Sequence, residues 1–309
     1  MSKNYIAYIQ MSIAMIIIGS FVVIGKFILE EVPVFLASEL RLLIANFILI
    51  PLFYFKEKKL PKVNKKDARI FIIQAFVGVF LFSVCTLYGL KYTTALESGL
   101  ILSCTPAVMA LIAYFFLKEK LGATKLIGIL FTVLGTMSIN IIGTVATGNV
   151  NAISIFGNFL IFLAVIGDAV FFSFGKLLSD RWSPLAISMI LSILGSIFFL
   201  PLAVYEALHI DFSSISLSVW GWIIYTGTIV TVVAVILMNQ GLKKVPASVA
   251  SVFTALTPVS TVLLSSIFLK ESIYWYHLLG MVFILLGILM LTNTNKEPKM
   301  GKIPKNNIF

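Results

Sequence analysis

Ten apolar stretches, each about 20 residues long, follow one another through this chain of 309 residues. They run over 8–29, 33–55, 69–90, 94–117, 123–142, 153–177, 184–206, 218–241, 246–269 and 274–293. A stretch of about 20 apolar residues covers the hydrocarbon core of a bilayer as an α-helix. Lipid offers the backbone no water, so a spanning segment must satisfy its own N–H and C=O groups, as a helix does. Several joins are only three or four residues long, which predicts antiparallel neighbours. Composition agrees: 60% of residues are hydrophobic and 12% charged, against about 25% charged in soluble domains. Lys3 precedes the first run as it would in a signal peptide. That run is long and lacks a small-residue cleavage site, so it is read as a spanning helix.

The net charge of +10 is explained by topology rather than by nucleic acid. If the N-terminus is cytoplasmic, so are the loop 56–66 with its six lysines, the Lys118–Lys120–Lys125 group, Lys176 and Arg181, Lys243 and Lys244, and the basic tail 294–309. The opposite side holds Lys91 and Lys270 with Glu30, Glu31, Glu206 and Asp211. Cytoplasmic loops carry the excess of Lys and Arg, so both termini are predicted to be cytoplasmic in a multi-pass protein of the cytoplasmic membrane. The loop 56–66 is expected to meet anionic headgroups. Cys85 and Cys104 make neither a disulfide framework nor a metal set. No P-loop, HExxH or GxSxG is present, and His209 and His277 lie near helix ends. No cofactor, metal or catalysis is therefore expected. The predicted partners are the lipid bilayer and a small molecule, with protons as a candidate coupling ion.

The chain also contains one stretch twice. Gly89-Leu90-Lys91 returns 152 positions on as Gly241-Leu242-Lys243. Thr105-Pro106 returns as Thr257-Pro258, Leu117-Lys118-Glu119 as Leu269-Lys270-Glu271, and Gly128 and Gly135 as Gly280 and Gly287. Earlier helices match at an offset near 150, pairing Lys26 with Lys176 and Pro51 with Pro201. Five helices per half is an odd number, so the second half enters the membrane from the other side. The expected fold is an all-α integral membrane protein: ten transmembrane helices as two inverted five-helix repeats. The halves are 1–145 and 146–293, joined by the short polar linker 143–152.

Candidate functional residues are the polar ones within apolar runs. Asp168 lies about 15 residues into the sixth helix, about 22 Å along it at ~1.5 Å per residue. A carboxylate there is costly and marks a functional candidate suited to proton binding; the bland alternative is a structural, hydrogen-bonded Asp. Lys26, Glu39, Arg41 and Glu97 fall at one end of helices 1, 2 and 4 and are expected to form an ion-pair cluster acting as an outer gate; the bland alternative is interfacial snorkelling plus a structural Arg–Glu pair. Ser12, Gly19 and Lys26 recur every seven residues, as do Gln74, Leu81 and Tyr88, and Thr226, Val233 and Gln240. Each set predicts an inward stripe. Trp220, Trp222, Trp275 and Tyr276 read as interface anchors. Pro106 and Pro258, about midway along helices 4 and 9, predict bends that Thr105 and Thr257 would help to satisfy.

These features resemble the EamA family of the drug/metabolite transporter superfamily. The matching residues are Gly19-Ser20, Arg41 to Ala45, Ala95 with Ser98, Thr105-Pro106, Leu117-Lys118-Glu119, Gly128 and Gly135. The second copy adds Ala247, Ser251, Thr257-Pro258, Lys270-Glu271, Gly280 and Gly287. Ile18 stands where similar proteins often carry Trp. The resemblance implies a transporter of small metabolites, often an amino-acid or drug exporter, with a central cavity lined by helices 1, 3, 4, 6, 8 and 9. The candidate substrate or coupling set is then Asp168, Gly19, Ser20, Tyr88, Thr105, Phe172, Gln240 and Thr257. The expected activity is export of an amino acid or related compound by alternating access. The alternatives are a lipid-linked sugar flippase and a membrane sensor without flux.

Overall fold

A computed structural model describes residues 2–57, 62–117, 122–147, 152–179, 181–244, 253–254 and 256–292. Lys58, Lys59, Lys118, Glu119, Lys120, Ala247, Val249, Ser251 and the tail 294–309 lie outside the described residues, as do the side chains of Lys125 and Lys176. The chain is helical almost throughout. In order come α1 (Ser2–Leu29), α2 (Val34–Lys56) and α3 (Lys65–Tyr92). A broken helix follows as α4a (Ala95–Leu102) and α4b (Thr105–Leu117), then α5 (Ala123–Thr147), α6 (Ala152–Ser179) and α7 (Pro184–Ala207). The chain continues with α8 (Leu217–Lys244), α9 (Leu256–Phe268) and α10 (Trp275–Thr292).

Local chemistry sets the starts. The Asn64 side chain accepts from the Asp67 amide at 2.7 Å, Thr94 from the Glu97 amide at 3.0 Å, and Ser183 from the Ala186 amide at 3.0 Å. Each supplies an acceptor to a first-turn N–H that has no partner within its helix. Pro184 begins α7, where a missing N–H costs nothing.

Among the described residues, six helices are long and apolar enough to cross a membrane: α1, α2, α3, α6, α7 and α8. Shorter apolar helices represent α4, α5, α9 and α10. The outward faces are apolar as well; Phe47 is 84% exposed, Tyr54 70% and Ile267 67%. A water-soluble surface does not present rings in such numbers.

The packing is reciprocal between the halves. Helices α2 and α7 pack together, as do α5 and α10. Helix α1 packs against α8 and α9, and α6 against α3 and α4. At α5–α10, a Cβ on Gly135 would lie 2.8 Å from the Gly280 carbonyl oxygen, and one on Gly287 would lie 2.6 Å from the Gly128 carbonyl oxygen. Lipid provides no hydrophobic drive between helices, so close backbone approach at small residues supplies much of the attraction. The glycines shared by the two copies are thus contact points on each other. At α2–α7, Glu206 accepts from the Leu36 amide at 2.7 Å near the start of α2, and Glu57 accepts from the Ser183 hydroxyl at 2.6 Å at the start of α7. Each acid, at the C-terminal end of its own helix, serves the N-terminal end of the other, where negative charge is favoured.

Two expectations change. The seven-residue stripes on α3 and α8 do not hold: Gln74 and Thr226 are buried, whereas Leu81 and Val233 are exposed. The cause is a π-helical segment inside each helix, Phe76–Leu81 in α3 and Thr226–Ala234 in α8. A π turn holds more residues than an α turn, so it rotates everything beyond it relative to the 3.6-residue period. One proline also moves. Pro106 is the second residue of α4b, so it stands in a first turn rather than mid-helix; Pro258 is the third described residue of α9.

Candidate functional site

The break in α4 creates the site. Ser103 and Cys104 form a turn, with the Cys104 amide bonded to the Ile101 carbonyl at 3.0 Å and the Ala107 amide to the Cys104 carbonyl at 2.9 Å. These are tight three-residue closures, and Pro106, which has no N–H, cannot continue an α-helical ladder there. The Thr105 hydroxyl lies 2.8 Å from the Leu102 carbonyl oxygen. It also lies 2.8 Å from the Asp168 carboxylate of α6.

Asp168 and Thr105 face a cavity of about 130 Å³ between the halves. Every helix from α1 to α9 except α5 lends it side chains. Hence α2 and α7, absent from the expected lining, join α1, α3, α4, α6, α8 and α9. The polar contribution of α2 is Arg41; that of α7 is the pair Ser188 and Ser192, one helical turn apart. Both π segments border the cavity, through Gly78 and Val79 on one side and Val230 and Thr231 on the other. Its walls are otherwise mostly apolar, with Phe21, Phe82, Phe171 and Phe172 as rings. This is the composition of a small-molecule site: apolar walls with a few placed polar groups.

Of the candidate substrate, coupling and bend residues, Asp168, Thr105, Phe172, Thr257 and Pro106 line the cavity. Ile18, at the position of the family's frequent Trp, does too. The others stand elsewhere. A Cβ on Gly19 would lie 2.6 Å from the Thr257 carbonyl oxygen, so Gly19 is a packing residue between α1 and α9. Ser20 meets the Tyr225 hydroxyl at 3.1 Å. Tyr88 packs edge-on against Phe35, and Gln240 accepts from Gln10 at 2.7 Å. Pro258 lies against Leu100 and Ile284, beside α10.

The four charges expected as one cluster part company. Lys26 pairs with Glu271 at 3.3 Å. Glu39 takes the Ser196 hydroxyl, and Glu97 is held by Thr93 at 2.7 Å and Asn158 at 3.1 Å. Arg41 turns to the cavity. Spacing along one helix end could not tell these directions apart, because Glu39 and Arg41, two residues apart, point to different neighbours. A second polar site was missed. Glu271 accepts from the Ala95 and Leu96 amides at 3.0 and 2.8 Å, sitting on the open N-terminus of α4a. Lys270 just before it has φ 53, a left-handed conformation that turns Glu271 towards α4a. The repeat of Lys-Glu at the end of the ninth run was the available signal.

The family signature for EamA-like transporters matches residues 5–141 and again 155–293. The chain belongs to the EamA-like transporter family. It is 43% identical over 296 residues to the uncharacterized transporter YetK of Bacillus subtilis, covering 96% of this chain and 89% of that one. An uncharacterized transporter of Archaeoglobus fulgidus is 28% identical over 260 residues, covering 83% of this chain and 87% of that protein. A crystal structure at 16% identity superposes with a TM-score of 0.65 over 93% of this chain and 96% of the other, which establishes likeness of fold alone. As an EamA-like chain with several long apolar helices, this is a multi-pass membrane transporter.

Proposed function

We propose that this EamA-like protein is a secondary transporter that exports a small organic metabolite, an amino acid or a related compound, across the cytoplasmic membrane. Ten helices would span the bilayer as two inverted five-helix halves, 1–145 and 146–293, with both termini cytoplasmic. The reciprocal packing of α2 with α7 and of α5 with α10, and the two π segments at corresponding places, support the inverted arrangement. The skew of Lys and Arg supports the orientation.

The observation that carries the reading is the cavity between the halves, holding Asp168 against the break in α4. A site shared by two halves can open to one side at a time if the halves rock, which is alternating access. Asp168 acts as the coupling or substrate-sensing group. Its carboxylate and the Leu102 carbonyl compete for the single Thr105 proton. A charged Asp168 takes that proton. A protonated Asp168 donates to Thr105 instead and releases the hydroxyl to Leu102, at the break itself. Proton or ligand binding is thereby connected to the geometry of α4.

Reconstituted protein is to be loaded with pooled labelled amino acids, with efflux measured at several pH values. Flux is expected, with a pH dependence that Asp168→Asn removes. Unchanged flux and unchanged pH dependence in Asp168→Asn would dismiss the coupling role. Labelling of cysteines placed in 56–66 from outside the cell would dismiss the orientation.

A further inference from the structure

Arg41 is the group that the coupling role of Asp168 leaves without a purpose. It is 8% exposed and lines the cavity from α2. One guanidinium nitrogen, Nη2, donates to the Ser83 hydroxyl at 3.1 Å. Its central carbon stands 4.8 Å from the centroid of the Phe21 ring. Its Nε is buried without a hydrogen-bond partner. Among the described residues no Asp or Glu lies within ion-pair distance of it. Glu39 takes the Ser196 hydroxyl on Oε1, and its Oε2, buried without a hydrogen-bond partner, is not within ion-pair distance of Arg41; the Asp168 carboxylate accepts from Thr105.

A guanidinium presents five N–H donors in a planar fork. Here one neutral hydroxyl and one ring face are all that the described residues supply. A buried cation so poorly compensated is costly, and native structures keep such charges only where a counter-charge completes them. The guanidinium borders the cavity that also holds Asp168. Its fork matches a carboxylate, which it binds through two parallel hydrogen bonds. A phosphate monoester, carrying nearly two charges, would call for further cationic groups, and Arg41 is the single Lys or Arg on the cavity wall among the described residues. The remaining wall, with Phe82, Phe171, Leu191 and Val230, suits an apolar body.

We infer that Arg41 is the anion-binding group of the cavity, and that the transported solute presents a carboxylate on a small apolar body. The carboxylate sits against the guanidinium, beside Ser83 and the Phe21 ring. The inference rests on the transport reading, which it narrows from small metabolites to carboxylates.

The test uses matched compounds on the full-length protein in detergent: the common aliphatic and aromatic L-amino acids, their carboxamides, their deaminated acids, and amines of the same skeletons. Thermal shift is read for each, and flux is read separately in proteoliposomes. At least one carboxylate is expected to raise Tm while its carboxamide does not. Arg41→Gln is expected to weaken that ligand by roughly thirtyfold or more, the usual consequence of removing one partner of a buried charge pair. Arg41→Lys keeps the charge and loses the fork, and falls between. The carboxylate–carboxamide comparison on the unmodified protein stands even if the Arg41 variants fail to fold. A carboxamide or amine that binds as well as its carboxylate overturns the inference, as does a panel in which no carboxylate binds. Flux of an uncharged or cationic solute alone overturns the anion site and leaves transport standing. Carboxylate binding with no flux supports the anion site and overturns transport.

Discussion

The Thr105 hydroxyl stands 2.8 Å from the Asp168 carboxylate and also 2.8 Å from the Leu102 carbonyl, and its one proton can serve only one of these two acceptors at a time. Thr105→Val removes the hydroxyl and keeps the shape. It leaves two acceptors without their donor, which is expected to cost about 1–3 kcal/mol, read as a fall in Tm. Thr105→Ser restores the hydroxyl and is expected to recover most of the loss. Equal Tm values for Val and Ser variants would show that the contact contributes nothing.

Glu271 closes the N-terminus of α4a from the other half of the chain, with Lys26 alongside at 3.3 Å. Glu271→Ala opens two first-turn amides. The expected loss is about 0.5–2 kcal/mol, the range for a removed N-cap. Hydrogen exchange checks it directly: protection at Ala95 and Leu96 is expected to fall while that at Leu36, held by Glu206, does not.

Lys270 holds a left-handed φ of 53 where α9 ends, a position that glycine fills without strain. Lys270→Gly is expected to raise stability by about 1 kcal/mol, measured as Tm, because the side chain's clash with its own backbone disappears. A lower Tm would mean that the Lys270 side chain contributes more than the strain it brings.

The glycines divide into tight and free positions. A Cβ at Gly287 would lie 2.6 Å from both the Gly128 carbonyl oxygen and the Thr132 side chain, so Gly287→Ala forces α5 and α10 apart. The expected cost is about 1–3 kcal/mol, as for other overpacked contacts. Gly221 in α8 meets nothing within 4 Å, and Gly221→Ala is expected to stabilise by roughly 0.5–1 kcal/mol. Chemical-denaturation midpoints of the two variants should move in opposite directions.

Much of this architecture is legible in the residues. Apolar length marks the helices, and the repeated Gly128–Gly135 and Gly280–Gly287 pairs mark an interface they build together. Asp168 and Thr105 are found because a carboxylate and a Thr-Pro are conspicuous in apolar runs. Arg41 is grouped by sequence with an outer-gate ion-pair cluster, whereas its neighbours in sequence, Glu39 above all, turn to different helices. Ser83, Ser188 and Ser192 were passed over because a serine in a spanning helix most often bonds its own preceding turn, as Ser188 does to the Pro184 carbonyl at 2.9 Å. The stripes on α3 and α8 failed because periodicity assumes a constant twist.

That last point has a mechanical side. Each π segment acts as a phase adjuster, setting the angle between the two ends of one continuous rod. Deleting one residue from the regular α-helix before it, within Lys65–Ala75, would shorten the span by only ~1.5 Å. Everything downstream would nevertheless swing by about 100°, one residue's worth of helical rotation at 3.6 residues per turn. Phe82 and Ser83 would leave the cavity, and Arg41 would lose its one hydroxyl, while the helix itself survived. The protein's tolerance to such a deletion is therefore a matter of angle rather than of length.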